Sequence, residues 1–117
     1  MRQVVSNPDV QEGKPLTEPV FLILTSLADQ PRHGYALLQD IQQMSSERVL
    51  LSTGTLYGAL RRLLEDGLIA RFQQEDKSRD KQAYKLTTEG RRQLQAEMFR
   101  MKQLVRIAAS RMKELEV

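Results

Sequence analysis

Cysteine is absent from the 117 residues, and histidine occurs once, at His33. The first absence excludes a disulfide scaffold and any thiolate metal site. The second leaves little with which to move protons near neutral pH. There is no paired-carboxylate or metal-ligand spacing, and Gly34, Gly54 and Gly58 do not form a phosphate-cradling loop after a strand. His33 lies between Arg32 and Gly34 at a helix start, where a turn or surface role is the simpler reading. No catalytic residue, metal or cofactor is therefore expected. No apolar run approaches the roughly 18 to 20 residues that would span a bilayer, and Met1–Leu16 holds no apolar stretch of signal-peptide type. The expectation is a protein of the reducing cytoplasm with no membrane partner.

What is present is one domain's worth of chain, 40% hydrophobic and 28% charged. Lys and Arg number 18 against 15 Asp and Glu, giving a net charge of +3 and a pI near 9.4. Such a bias is compatible with nucleic acid, and only the placement of the charge can decide. Residues 1–15 contain Asn7, Pro8, Gly13 and Pro15 without apolar periodicity and read as a loose N-terminal arm. From Thr17, a capping residue, Val20, Phe21, Leu24 and Leu27 recur at helical spacing, predicting a first helix that ends near Asp29. Leu37, Leu38 and Ile41 mark a second helix, which dies at Ser45 and Ser46. Ser52 and Thr53 cap a third, with Leu56, Leu60, Leu63 and Leu64 on one face and Gly67 as its stop. The period then changes from 3.6 to 2. Leu68–Gln74 and Gln82–Thr87 read as the strands of a hairpin whose charged tip is Glu75–Lys81. A last helix, capped by Thr87 or Thr88, runs almost to Val117.

The third helix carries the most information. With Leu56 at the centre of its apolar stripe, Gly54, Thr55, Gly58, Arg61 and Arg62 fall on or near the opposite face. Two glycines there cost about 1 kcal/mol each in helix propensity, a penalty that makes sense if the backbone must approach something closely. A DNA groove is one candidate, and Ser52, Thr53 and Thr55 crowd a helix start whose free N–H groups attract phosphate. Simple capping beside a solvated arginine pair is the plain alternative. The order of elements favours the first reading. A helix, a turn, a hydroxyl-started basic helix and a hairpin make a winged helix-turn-helix. The tip is mixed in sign: Lys77, Arg79, Lys81 and Lys85 stand against Glu75, Asp76 and Asp80.

His33-Gly34-Tyr35, then Gly54-Thr55-Leu56-Tyr57 followed by Leu60, Arg62 and Leu63, then Glu65-Asp66-Gly67-Leu68-Ile69, and Tyr84-Lys85-Leu86-Thr87 with Gly90, together resemble the PadR family of bacterial transcriptional regulators, over roughly Leu16 to Leu104. The resemblance implies a mostly α fold with a small β-hairpin wing. It further implies a homodimeric repressor whose third helix enters the major groove of an operator in double-stranded DNA, whose wing touches the flanking backbone and whose C-terminal helix dimerises. Tyr35 and Tyr57 match the family's two signature tyrosines, and a place near a phosphate is implied for at least one. The chain departs from the family late in the wing, where Gln82 and Ala83 precede the single Tyr84.

The last helix is also legible on its own. Leu94, Met98, Met101, Val105, Ala108, Met112 and Leu115 alternate in steps of four and three, the seam of a coiled coil, which wants a partner helix. Some PadR relatives bind flat aromatic effectors between dimer helices with an aromatic near the position of Met101. This chain has methionine there, so plain interface packing is favoured over a small-molecule effector. The expected division is an arm at 1–15, a winged helix-turn-helix DNA-binding domain at 16–87 and a dimerisation helix at 88–117. The expected DNA contacts are Tyr35, Ser52, Thr53, Gly54, Thr55, Tyr57, Gly58, Arg61, Arg62, Lys77, Arg79 and Lys81. The rival from another class is a winged-helix module whose third helix faces a protein.

Overall fold

The computed structural model describes residues 14–72 and 82–115. Four helices, α1 (Glu18–Ser26), α2 (Gly34–Met44), α3 (Thr53–Glu65) and α4 (Thr88–Leu115), surround a small antiparallel sheet. Its strands are β1 (Arg32–His33), β2 (Ile69–Phe72) and β3 (Ala83–Leu86), in the order β1-β3-β2. The architecture is a winged helix-turn-helix with a long C-terminal helix. None of the described helices is long and apolar enough to cross a membrane.

Each helix begins and ends where local chemistry dictates. Thr17 caps α1, its hydroxyl accepting from the Val20 N–H at 3.3 Å, and Ser52 caps α3 by accepting from the Thr55 N–H at 3.1 Å. At the end of α3, Gly67 takes a φ of 77°. Its N–H donates to the Leu64 carbonyl and the Leu68 N–H to the Leu63 carbonyl, the paired bonds of a Schellman close. α1 ends at Ser26, a turn earlier than the sequence pattern predicts. Arg32 accounts for this, since its Nε donates to the freed Ser26 carbonyl at 2.8 Å and lies 3.6 Å from Asp40. The Ser26 hydroxyl donates to the same Asp40 at 2.5 Å. Held in this way, Arg32 and His33 extend beside Tyr84 and Ala83 and form the strand the periodicity does not show.

The core lies between α1, α2, α3 and the sheet, with Ile23, Leu24, Leu37, Ile41, Leu56 and Leu60 fully enclosed. Each such side chain contributes about 1.5 to 3 kcal/mol relative to exposure. α4 joins this core through Leu94. It is fastened there by Thr87, whose hydroxyl accepts from the Gly90 N–H at 3.0 Å and donates to the Gly67 carbonyl at 2.7 Å.

Glu97, on the next turn of α4, is buried. Arg100 grips it in two places, at 3.0 and 2.6 Å, and the Leu16 N–H donates to it at 3.2 Å, tying the lead-in of α1 to α4. The Arg100 hydrogen bond holds the Glu97 carboxyl below its ordinary 4.5. A depressed folded-state pKa means the carboxylate's contribution is complete above that ordinary value and is lost as pH falls through the lower folded value. Glu97→Gln is therefore expected to unfold about 1 kcal/mol more easily at neutral pH, with the gap to wild type closing on acidification. Denaturant titrations at a series of pH values would check this, and a gap independent of pH would refute it.

Candidate nucleic-acid interface

α3 turns Leu56, Leu60 and Leu63 into the core, so its other face is set by geometry alone. Thr53, Gly54, Thr55, Tyr57, Gly58, Arg61 and Arg62 are all exposed, as is Ser52 before them. Glu65, which the pattern reading passed over, shares this face at its carboxyl end. A Cβ added at Gly54 or Gly58 would meet nothing within 4 Å, so these glycines keep the helix surface open rather than serving internal packing. The Ser52 hydroxyl also donates to that of Thr55 at 3.0 Å. Among the described residues, Arg61 and Arg62 form no ion pair, whereas Arg48 is paired with Glu18, Arg32 with Asp29 and Asp40, and Arg100 with Glu97. Two guanidinium groups without an ion pair among the described residues thus stand side by side on α3.

Tyr35 and Tyr57 come from different helices, and Gly34 leaves room for the second against the start of α2. A methyl group at Gly34 would fall 2.1 Å from the Tyr57 hydroxyl oxygen, so the bare glycine lets the Tyr57 ring lie across the start of α2. Tyr35 is 70% exposed, its hydroxyl accepting from Gln39 Nε2 at 3.2 Å. Two phenols therefore flank the amino end of α2 beside α3. Gly34 is a positioning residue that the reading from sequence left among the motif's unexplained letters; its signal was the invitingly small residue before an exposed tyrosine. Tyr84, buried in the sheet, has its hydroxyl pushed up by burial, with Tyr57 nearby.

At the base of the wing, β2 and β3 pair from Ile69 with Leu86 to Phe72 with Ala83. They present Arg71, whose Nε donates to Gln82 at 2.9 Å, and Lys85, whose Nζ lies 5.9 Å from the Phe72 ring centre. The tip residues Lys77, Arg79 and Lys81 lie outside the described residues, as do residues 1–13 of the arm.

The seam on α4 needs one correction. Leu94, read as its first position, is buried in the domain's own core because the first turns of α4 pack against α1 and β3. The outward stripe starts instead at Met98 and continues through Met101, Val105, Ala108 and Met112, of which Val105 is 67% exposed. Leu104 and Ile107 widen it and are likewise exposed within the chain. The Leu115 side chain lies outside the described residues.

A model of the transcriptional regulator PadR-like family matches residues 23–96. The chain belongs to that family. Among solved structures, this PadR-like regulator superposes on a PadR family transcription regulator of Clostridium difficile with a TM-score of 0.62 and 25% identity, covering 86% of this chain and 100% of that one. It shares its fold with Bacillus subtilis PadR in complex with operator DNA, at a TM-score of 0.58 and 20% identity, over 66% of this chain and 45% of that one. It is also 40% identical over 83 residues to a 37.1 kDa transposon protein of Streptomyces fradiae, a match that takes in 71% of this chain but only 23% of that protein. The PadR-like regulator thus spans about a quarter of that relative's length.

Proposed function

We propose that this PadR-like transcriptional regulator is a cytoplasmic repressor that binds an operator in double-stranded DNA as a homodimer and catalyses no reaction. The observation that carries the proposal is the outer face of α3: two glycines with open space above them, hydroxyls at the helix start and two arginines without carboxylate partners among the described residues. Such a face fits the major groove, where a helix approaches closely and a guanidinium can grip a guanine edge in two places. Ser52, Thr53 and Thr55, with Tyr35 and Tyr57, are assigned to phosphates flanking the groove, and Lys77, Arg79 and Lys81 of the wing to more distant ones. The apolar stripe of α4 from Met98 to Met112 is assigned to the partner subunit, which makes residues 16–87 the DNA-binding part and 88–117 the dimerisation part.

Selection of binding sites from a random pool of double-stranded DNA tests the whole reading. The expected product is an inverted repeat with half-sites about 10 bp apart, or a multiple of that, centre to centre. Recovered sites without dyad symmetry would refute the dimeric reading, and the absence of any salt-sensitive binding would favour a protein partner for α3. On the selected site, Arg61→Ala is expected to lose about 1 to 3 kcal/mol of affinity and to relax preference at one base position. Unchanged affinity and unchanged preference would remove α3 from the groove.

A further inference from the structure

A groove of about 530 Å³ runs between α3 and the segment that leads into α1, and Gln93 of α4 also lines it. We infer that this groove binds an aliphatic carboxylate and that the ligand and DNA compete for it, the second part resting on the proposed role of α3.

The lining argues for the class of ligand. One wall is hydrocarbon, from Leu16, Val20, Ala59, Leu63 and Leu68. The volume is that of a small-molecule site, and a mostly apolar lining with a few polar groups is the usual make-up of one. Among the described residues, no aromatic ring lines the groove. A flat aromatic ligand would find no stacking partner there, whereas a flexible alkyl chain gains many small dispersion contacts against leucine and valine. Lys14, Arg61 and Arg62 also border the groove, and neither arginine has a carboxylate partner among the described residues. A carboxylate suits them, since charge-assisted hydrogen bonds to guanidinium are strong and directional. Asp66 stands at the carboxyl end of α3, where it repels an anion. The acid head therefore lies between Arg61 and the amino end of the helix, on the side away from Asp66, where Thr55 borders the groove and the helix dipole is positive. Gly54 and Gly58 keep that end open, for any side chain there would project into free space now left to the ligand.

The consequence for regulation follows from shared residues. Gly54, Thr55, Gly58, Arg61 and Arg62 border the groove and also make up the face assigned to DNA. A bound carboxylate neutralises the arginines and adds bulk above the glycines, so each ligand weakens the other by the same factor.

Calorimetric titration of the full chain with sodium decanoate, below its micelle concentration and without DNA, tests the site directly. Saturable binding at one decanoate per chain is expected, with decanol, the same tail without the charge, at least about tenfold weaker. Gln93→Trp narrows the groove from its α4 side and replaces no residue assigned to DNA. It is expected to abolish decanoate binding while leaving a native circular dichroism spectrum and operator affinity. Saturating decanoate is expected to weaken operator binding by about tenfold or more in wild type and not in Gln93→Trp. Absence of saturable binding overturns the inference, whether a second copy or residues 1–13 fill the groove instead, and so does binding that decanol matches or that Gln93→Trp leaves intact. Decanoate binding by a chain that binds no DNA would uphold the site and defeat the reading of α3, so the two failures are distinguishable.

Discussion

Val105→Glu is expected to yield a folded monomer that no longer binds its operator. α4 is 28 residues long, about 42 Å at 1.5 Å per residue, and only its first three turns or so lie against the rest of the chain. From Lys102 to Lys113 every side chain is exposed. Val105, 67% exposed, lies near the middle of that outward stripe between Met101 and Ala108. Within a single chain the glutamate would stay in water and cost little. Across a two-fold seam it would be drawn from water on both subunits and set against its own symmetry mate. Burying such unpaired charge costs several kcal/mol even after relaxation. A weakening of dimerisation by at least about 100-fold, roughly 2.7 kcal/mol, is the expected scale. Operator binding falls with it, because the second half-site is no longer engaged by a linked second module. Sedimentation equilibrium read beside circular dichroism checks both parts. A folded variant that still dimerises would place the partner surface elsewhere.

Gly90→Ala should do the opposite, damaging the fold itself. A Cβ at Gly90 would stand 2.0 Å from the Leu68 carbonyl oxygen and 2.8 Å from Leu86 Cδ1. The first is backbone held in place, for that same oxygen accepts the Thr87 N–H at 3.1 Å. To admit a methyl group, the first turn of α4 must move off the junction of α3 and β2 and give up the Thr87 bonds that fasten it. Alanine gains about 1 kcal/mol in helix propensity, but crowding of this kind costs about 1 to 3 kcal/mol and the lost hydrogen bonds about 1 more each. A net loss of about 2 kcal/mol, or about 10 °C in melting temperature, is expected. Gly58→Ala is the matched control. Its new methyl meets nothing within 4 Å, so the same substitution there should stabilise by up to about 1 kcal/mol. Equal effects at the two sites in calorimetric melts would contradict the close approach at Gly90.

The sequence by itself determined the four helices and the two long strands, because the forces that start, stop and orient them act over three or four residues. Apolar spacing turns Leu56, Leu60 and Leu63 inward and thereby turns Gly54, Gly58 and Arg61 outward, whatever the rest of the chain does. Thr17, Ser52 and Gly67 mark helix ends through bonds made within a single turn. Only the tertiary structure decided what depends on groups distant along the chain. Arg32–His33 is too short to show a period and becomes a strand only because Arg32 is held by Ser26 and Asp40 while β3 offers its open edge. Leu94 and Met98 are consecutive positions of one repeating seam. The first is buried by α1 and β3 and the second is not, a boundary set by where the small domain ends against a long helix. Gly34 is matched to the Tyr57 ring, and the groove beside α3 is closed by residues near 16 and 93. Periodicity carries the direction of each side chain, but it contains no distance between elements, and those distances come only from how the elements pack.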